Sequence, residues 1–296
     1  MSVCFLRENA MTEPRQIVFV AVLVIVIFCA RQSAPAEKIA AGNEEKIVQA
    51  QVVLTVSESK RLIAKAVAQM PIVKEALKNG MVIITKGTTT TYVAEEILGK
   101  KIEHGAFVYG RVYPAKGGKE LKPADSINEV IFINGKLQGD LNLAEAVKKL
   151  KHGDVVVKGA NALDYENKIA GGIVSGLTCG TTGTIMPYVV GAKTHLVIPV
   201  GLEKQVAGNV IDIANKVREP IESLNEVYPM YVLTGHIVTE IEAMKTLADV
   251  SAFQVAAGGI GGAEGSVRLV CRGTRNQVEK ALKIVDQIQG EPPFVE

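Results

Sequence analysis

Two stretches of this chain place glycine, threonine and lysine where an anion could be held. Lys86-Gly87-Thr88-Thr89-Thr90-Thr91 lies between an apolar run at 81–85 and a helical pattern at 92–98, and Cys179-Gly180-Thr181-Thr182-Gly183-Thr184 repeats the same chemistry further along. A Gly/Thr loop between a strand and a helix presents backbone amides at a helix N-terminus, where the peptide dipoles add partial positive charge. Phosphate or carboxylate suits such a place. The candidate ligand-binding residues are therefore Lys86, Gly87, Thr88, Thr89 and Thr90 in the first loop and Gly180, Thr181 and Thr182 in the second, with Asn161 orienting the ligand. The plainer alternative is that threonine caps each helix and glycine makes the turn. Neither loop ends in Gly-Lys-Ser/Thr or reads G-x-G-x-x-G, so ATP and NAD are not favoured and no cofactor is expected.

Other titratable residues are scattered. Lys168 and Glu264 are the acid/base candidates, Glu264 being the single charge in the glycine cluster Gly258-Gly-Ile-Gly-Gly-Ala-Glu264. Glu203-Lys204 reads either as a solvated helix start or as an acid/base pair, and His236 with Glu240 sits at a strand–helix junction. His104, His152, His195 and His236 have no metal-ligand spacing, and Cys4, Cys29, Cys179 and Cys271 form no CxxC pair, so no metal is expected.

The elements that must position these residues follow from periodicity. Thr55-Val56-Ser57-Glu58 reads as a capping box before Leu62, Ile63, Ala66, Val67 and Met70 at helical spacing, with Pro71 stopping the helix. Strands are expected at 81–85, 106–112, 130–133, 154–158 and 194–199, and helices at 92–98, 142–150 and 206–217. Asn134-Gly135 marks a turn. Short buried strands alternating with amphipathic helices predict an α/β fold with a doubly wound, mainly parallel sheet. From 229 onward the order strand, helix, strand, strand, helix matches a ferredoxin-like unit lacking its last strand. The expected division is an N-terminal segment and linker at 1–44, an α/β anion-binding domain at 45–228 and a ferredoxin-like βαββα subdomain at 229–296, with folded structure starting near Thr55.

The strand, Gly87-Thr88-Thr89-Thr90 loop and the early Ser57-Glu58-Ser59-Lys60 helix resemble the phosphate-binding part of the ribose-5-phosphate isomerase, sugar-phosphate deaminase and CoA-transferase superfamily. Asp154-Val-Val-Val-Lys158-Gly-Ala-Asn161, followed by Asn167-Lys168 and glycines, is similar to that superfamily's strand ending in Gly-Ala-Asp. The resemblance spans roughly 55–290 and rests on short motifs. It implies a sugar phosphate or CoA-type ligand. The isomerases carry acidic residues around Gly-Ala, whereas this chain has Lys158 and Asn161, so the isomerase chemistry itself is not implied.

Composition narrows the partners. Lys plus Arg number 33 against 31 Asp plus Glu, a net charge of +2, and aromatics are 5% of 296 residues, so the basic, aromatic-rich stripe of a nucleic-acid binder is missing. The apolar run 17–30 is short for a membrane helix but fits a signal-peptide core, with Ala34-Pro35-Ala36 as a cleavage triplet. Export or anchoring through 17–30 is the expectation; the alternative is a cytoplasmic protein with a mis-assigned start. Three functions stay open: an enzyme on an anionic small molecule, a non-catalytic sensor on the same scaffold, and an interaction protein forming a homo-oligomer.

Overall fold

Most described helices begin where the sequence supplies a side-chain cap or a proline, and the central strands of the large sheet are short apolar runs. The computed structural model describes residues 46–110, 112–117 and 125–294. The expectations for 17–30 and for Ala34-Pro35-Ala36 lie outside these residues. Among the described residues no helix is long and apolar enough to cross a membrane.

In chain order the elements are β1 (Ile47–Leu54), α1 (Val56–Gln69), α2 (Pro71–Asn79), β2 (Met81–Ile84), α3 (Thr88–Leu98), β3 (Val130–Ile133), β4 (Lys136–Leu137), α4 (Leu143–Ala146), β5 (Val155–Val157), β6 (Ala162–Asp164), β7 (Ile169–Ile173), α5 (Gly180–Gly191), β8 (His195–Pro199), α6 (Val210–Val217), β9 (Met230–Leu233), β10 (His236–Val238), α7 (Glu240–Ala248), β11 (Ser251–Ala257), β12 (Val267–Thr274) and α8 (Arg275–Ile288). The capping box at Thr55 has both halves: the Glu58 amide donates to Thr55 Oγ1 at 3.3 Å and the Thr55 amide to Glu58 Oε2 at 2.8 Å. Pro71 cannot continue α1 but opens α2, where its missing N–H would be unpaired in any case. Asn134 and Gly135, with φ of 48° and 77°, supply the left-handed pair that a tight hairpin between β3 and β4 needs.

The molecule is an α/β protein with a six-stranded mixed, mostly parallel sheet and two small antiparallel sheets. The large sheet runs β10-β8-β5-β2-β3-β4; β10, β8, β5 and β2 are mutually parallel and β3 and β4 antiparallel. All four residues of β2 and all three of β5 are buried, which explains why they read as continuous apolar runs rather than alternating ones. Chain growth reverses about β2, with β3 and β4 laid on one side and β5, β8 and β10 on the other. In such sheets the loops beyond the strand C-termini near the reversal form the binding crevice.

Three expectations differ from the structure. Folded structure starts before Thr55: β1 pairs with β12 over its whole length, from Ile47 opposite Thr274 to Leu54 opposite Val267. Residues 106–110 form no strand; a 3₁₀ turn at His104–Phe107 is followed by irregular chain with Tyr109 exposed. β2 already has β3 and β5 as neighbours and leaves no edge for another strand. The strands of 229–296 also do not form one sheet among themselves. β9 pairs with β7, β10 extends the large sheet beside β8, and β11 and β12 join β1. Gly235 permits the crossing from one sheet to the next, because a Cβ there would collide with the Leu196 carbonyl.

Candidate functional site

The C-terminal ends of the parallel strands are tied into one crest by backbone bonds. The Thr85 amide donates to Val157 O at 3.0 Å, Lys158 to Val197 O at 2.9 Å and Val200 to Val238 O at 3.1 Å. Residues just past each strand therefore stand side by side: Lys86 and Gly87 after β2, Lys158 after β5, Gly201 to Lys204 after β8, and Glu240 after β10. The N-terminal half of α1 adds Ser59 and Lys60.

Three lysines and two glutamates meet on this crest. Lys60 is 8% exposed, and burial, together with the positive charge of Lys204, lowers its pKa to about 8 against the opposing influence of Glu203. Lys158 is also brought down to about 8, again by burial and then by Lys204. Lys204 donates to the Ala160 carbonyl at 2.8 Å; burial lowers its pKa, although Glu203 and Glu240 oppose the shift. Glu240 is fully buried, and burial followed by repulsion from Glu203 raises its pKa to about 7. Its Oε2 accepts the Leu202 amide at 3.0 Å. Glu203 folds back over Gly201, where any side chain would collide with the carboxylate, so the glycine is what lets Glu203 reach this position.

The polar groups here are under-satisfied. Among the described residues two buried side-chain oxygens of this region, Thr89 Oγ1 and Glu203 Oε2, have no hydrogen-bond partner, while the Ser59 hydroxyl leans on the Glu240 carboxylate. Buried polar atoms are normally paired, so such a concentration marks a place where another polar species is accommodated. Three cationic side chains also outnumber two carboxylates, of which Glu240 is half-protonated near neutrality. The crest carries excess positive charge.

The residues singled out from the sequence fall into two groups. The first loop lies on the crest. Gly87 is the N-cap of α3, and its amide donates to Phe107 O at 3.0 Å. Thr88, Thr89 and Thr90 form the first helical turn, whose amides have no intrahelical acceptor. Thr90 Oγ1 is spent on the Gly87 carbonyl at 3.1 Å, while Thr89 Oγ1 is unpartnered. Lys86 Nζ donates to Ser126 Oγ at 2.9 Å. The second loop opens α5, with Gly180 at φ 51°, Thr181 half-buried and Thr182 buried. A Cβ on Gly172 would lie 3.9 Å from Thr182 Oγ1 and 4.0 Å from Lys158 Nζ, so the second loop borders the crest at Lys158.

The other candidates stand apart. Asn161 is exposed and accepts the Ile173 amide at 3.0 Å, bracing the β6–β7 hairpin. Lys168 turns that hairpin; its Nζ lies 3.2 Å from the Tyr165 ring centroid and 2.9 Å from Glu242 Oε1. Burial disfavours its charge, but these two contacts prevail and raise its pKa. Glu264 is exposed in the β11–β12 connection, accepting the Gly262 amide at 2.9 Å, and backbone amides hold its pKa down. Glu203-Lys204, which the sequence left open between a solvated helix start and an acid/base pair, is a partly buried component of the crest. His195 Nδ1 and His236 Nε2 lie 3.2 Å apart at the opposite ends of β8 and β10, a pairing that their separation in sequence conceals.

Sequence reasoning passed over Lys60 and Lys204 as components of a common site and treated Lys158 as a lost carboxylate. The available signal was positional: Lys158 follows the unbroken Val155-Val156-Val157 strand directly, and Glu203-Lys204 follows the apolar 196–200 run after only Gly201 and Leu202. A charge at the exit of a buried parallel strand belongs to the crevice side of the sheet.

Comparison with known proteins returns no match to any family model, curated protein or solved structure.

Proposed function

We propose that this protein binds a small anionic metabolite on the crest formed by the ends of β2, β5, β8 and β10, and that it acts on that metabolite as an enzyme. The ligand class is a phosphorylated or carboxylated compound of sugar-phosphate or CoA type, held by the first turns of α3 and α5 and by Lys60, Lys158 and Lys204. The observation that carries this reading is the buried cationic excess next to unpartnered polar atoms. Burying charge without full compensation costs several kcal/mol, and a bound anion would supply the compensation. A sheet wound as the sequence suggests, doubly and with a reversal at β2, also binds ligands on this side.

An enzyme is favoured over a passive sensor because titratable groups of both kinds converge. A sensor needs donors alone, whereas this crest pairs Glu240, near pKa 7, with lysines near pKa 8, values suited to proton transfer at physiological pH. The resemblance to the sugar-phosphate isomerase superfamily points to the same ligand class through the Gly87 to Thr90 loop, while Lys158 and Asn161 in place of acidic residues argue for a different reaction.

A thermal-shift screen of the purified protein against sugar phosphates, CoA thioesters, keto acids, inorganic phosphate and neutral sugars tests the reading. Ligand at a hundred times its dissociation constant adds about 2.7 kcal/mol to the native state. Stabilisation by an anionic class and not by neutral sugars is expected, and it should vanish in a Lys60→Met/Lys204→Met variant. A flat response to every anion would overturn the proposal.

A further inference from the structure

Of the three lysines on the crest, one is placed differently. Lys204 is committed to the Ala160 carbonyl and stands near Glu203 and Glu240. Lys60 lies beneath Phe294, with Nζ 5.6 Å from the ring centroid, and is almost wholly covered. Lys158 is half-buried, and among the described residues the one hydrogen bond of its Nζ is a 3.5 Å contact to the carbonyl of the next residue, Gly159. Among the described residues it makes no ion pair. A Cβ on Gly172 would lie 4.0 Å from its Nζ and 3.9 Å from Thr182 Oγ1, so Lys158 and Thr182, on the first turn of α5, flank the same side of that glycine.

We propose that Lys158 is a nucleophile that forms an imine with a carbonyl group of the bound anion, which makes the substrate class a small anionic aldehyde or ketone such as an α-keto acid or an open-chain sugar phosphate. The inference rests on reading the crest as an anion site. The carboxylate or phosphate sits against the amide-rich first turn of α5 and the charge of Lys204, bringing the carbonyl carbon to Nζ. The neutral amine attacks that carbon; the new C–N bond forms as the carbonyl π pair moves to oxygen, which takes up a proton while nitrogen gives one up. The Lys204 ammonium protonates the resulting hydroxyl, the C–O bond breaks and water leaves, giving the protonated imine. Amine plus carbonyl becomes imine plus water, with no oxidant or reductant. A lysine next to a second cation in a desolvated setting has a usable neutral fraction near pH 7 to 8, which is how amine nucleophiles are activated; burial and Lys204 hold Lys158 at about 8.

The test incubates the intact protein with pyruvate, glyoxylate or dihydroxyacetone phosphate in sodium cyanoborohydride, which reduces an imine to a stable secondary amine, and maps the adduct by peptide mass spectrometry. The expected result is a gain equal to the probe less one oxygen atom at Lys158, forming at least about tenfold faster than at exposed lysines such as Lys74, Lys216 and Lys283. Neutral acetone should label Lys158 no faster than it labels those lysines. Labelling should rise with pH around a midpoint near 8, and Lys204→Met should move that midpoint upward. Lys158→Arg removes the nucleophile and should lose the adduct, whereas Lys74→Arg, at an exposed position, should keep both the adduct and stabilisation by inorganic phosphate. No adduct, adducts spread over exposed lysines, or an adduct at Lys60 or Lys204 would overturn the assignment. If anions still stabilise the protein in that case, only the imine falls; if none stabilises it, the anion site falls as well.

Discussion

Lys60 and Arg61 are consecutive on α1, both are buried, and their surroundings are opposite. Arg61 bonds Glu95 at 2.5 Å, Glu96 at 3.0 Å and Glu291 at 2.8 Å and stacks over Tyr92, and Lys65 and Lys101 extend the network. Three cations face three carboxylates there. Burial works against the guanidinium charge, but Glu291 and Glu95 outweigh it and raise its pKa. The network pins the C-terminal tail to α1 and α3, helped by His104 stacked on Phe294 at 4.1 Å. Lys60, one residue earlier, has its pKa pulled down by burial and then by Lys204. A balanced set of buried charges has a structural job completed within the chain. An unbalanced set has no such completion within the chain, which is why we propose an anion for it.

The contrast can be broken most forcefully on the balanced side. Arg61→Met strands Glu95, which is 4% exposed, without its main counter-charge. The expected loss is about 3–5 kcal/mol in denaturant unfolding, the scale for removing one partner of a buried pair. A loss below about 1 kcal/mol would mean the network behaves as a surface one.

On the unbalanced side the sign reverses. Lys60→Met should stabilise the ligand-free protein at pH 7 by about 1–3 kcal/mol, because a buried charge without a full partner is replaced by apolar volume. The pH dependence gives a second check. The folded pKa of Lys60, about 8, lies below its ordinary 10.5, so between these values the unfolded chain holds a proton that the folded protein has lost. Wild-type stability therefore rises from pH 8 to 10.5, and the advantage of Lys60→Met should fade across that window. A gain constant with pH would point to packing alone.

Glu240 gives a smaller, mirrored effect. Its folded pKa, about 7, lies above its ordinary 4.5, so its favourable contribution is fully present below 4.5 and is lost as pH rises through 7. Glu240→Gln should match the wild type near pH 4.5 and exceed it by about 1–2 kcal/mol at pH 8. Taken together, Glu240 and the lysines give the crest its lowest stability between pH 7 and 8, a dip that a bound anion should fill. The smallest expected change is Gly201→Ala, which displaces Glu203 at a cost of about 1–2 kcal/mol and should weaken anion-induced stabilisation.

Local signals carried much of the fold. The Thr55 capping box, Pro71, the Asn134-Gly135 turn and the apolar strands expected at 81–85 and 154–158 all act within a few residues, and the structure has each to within a residue of those bounds. β1 was obscured because its alternation of Val48, Ala50, Val52 and Leu54 lies in a polar, alanine-rich stretch, and its partner β12 is more than two hundred residues away. The Gly87 to Thr90 loop was legible because strand, loop and helix are contiguous. The lysine crest was not: Lys60, Lys158 and Lys204 come from three distant segments, and a lysine in isolation reads as solvated. The parallel pairing of β5 and β8 brings Lys158 and Lys204 together, and α1 packed against β8 adds Lys60.

The most direct test of the anion site is titration calorimetry at pH 8, using the non-carbonyl anion that gives the largest thermal shift, in buffers of different ionisation enthalpy. An anion that neutralises the crest should raise the lysine pKa values from about 8, so binding is predicted to take up about half a proton or more. Both uptake and affinity should be lost in Lys60→Met/Lys204→Met. Binding without proton uptake and indifferent to those substitutions would contradict the account, leaving the crest a costly feature of the fold with no ligand to explain it.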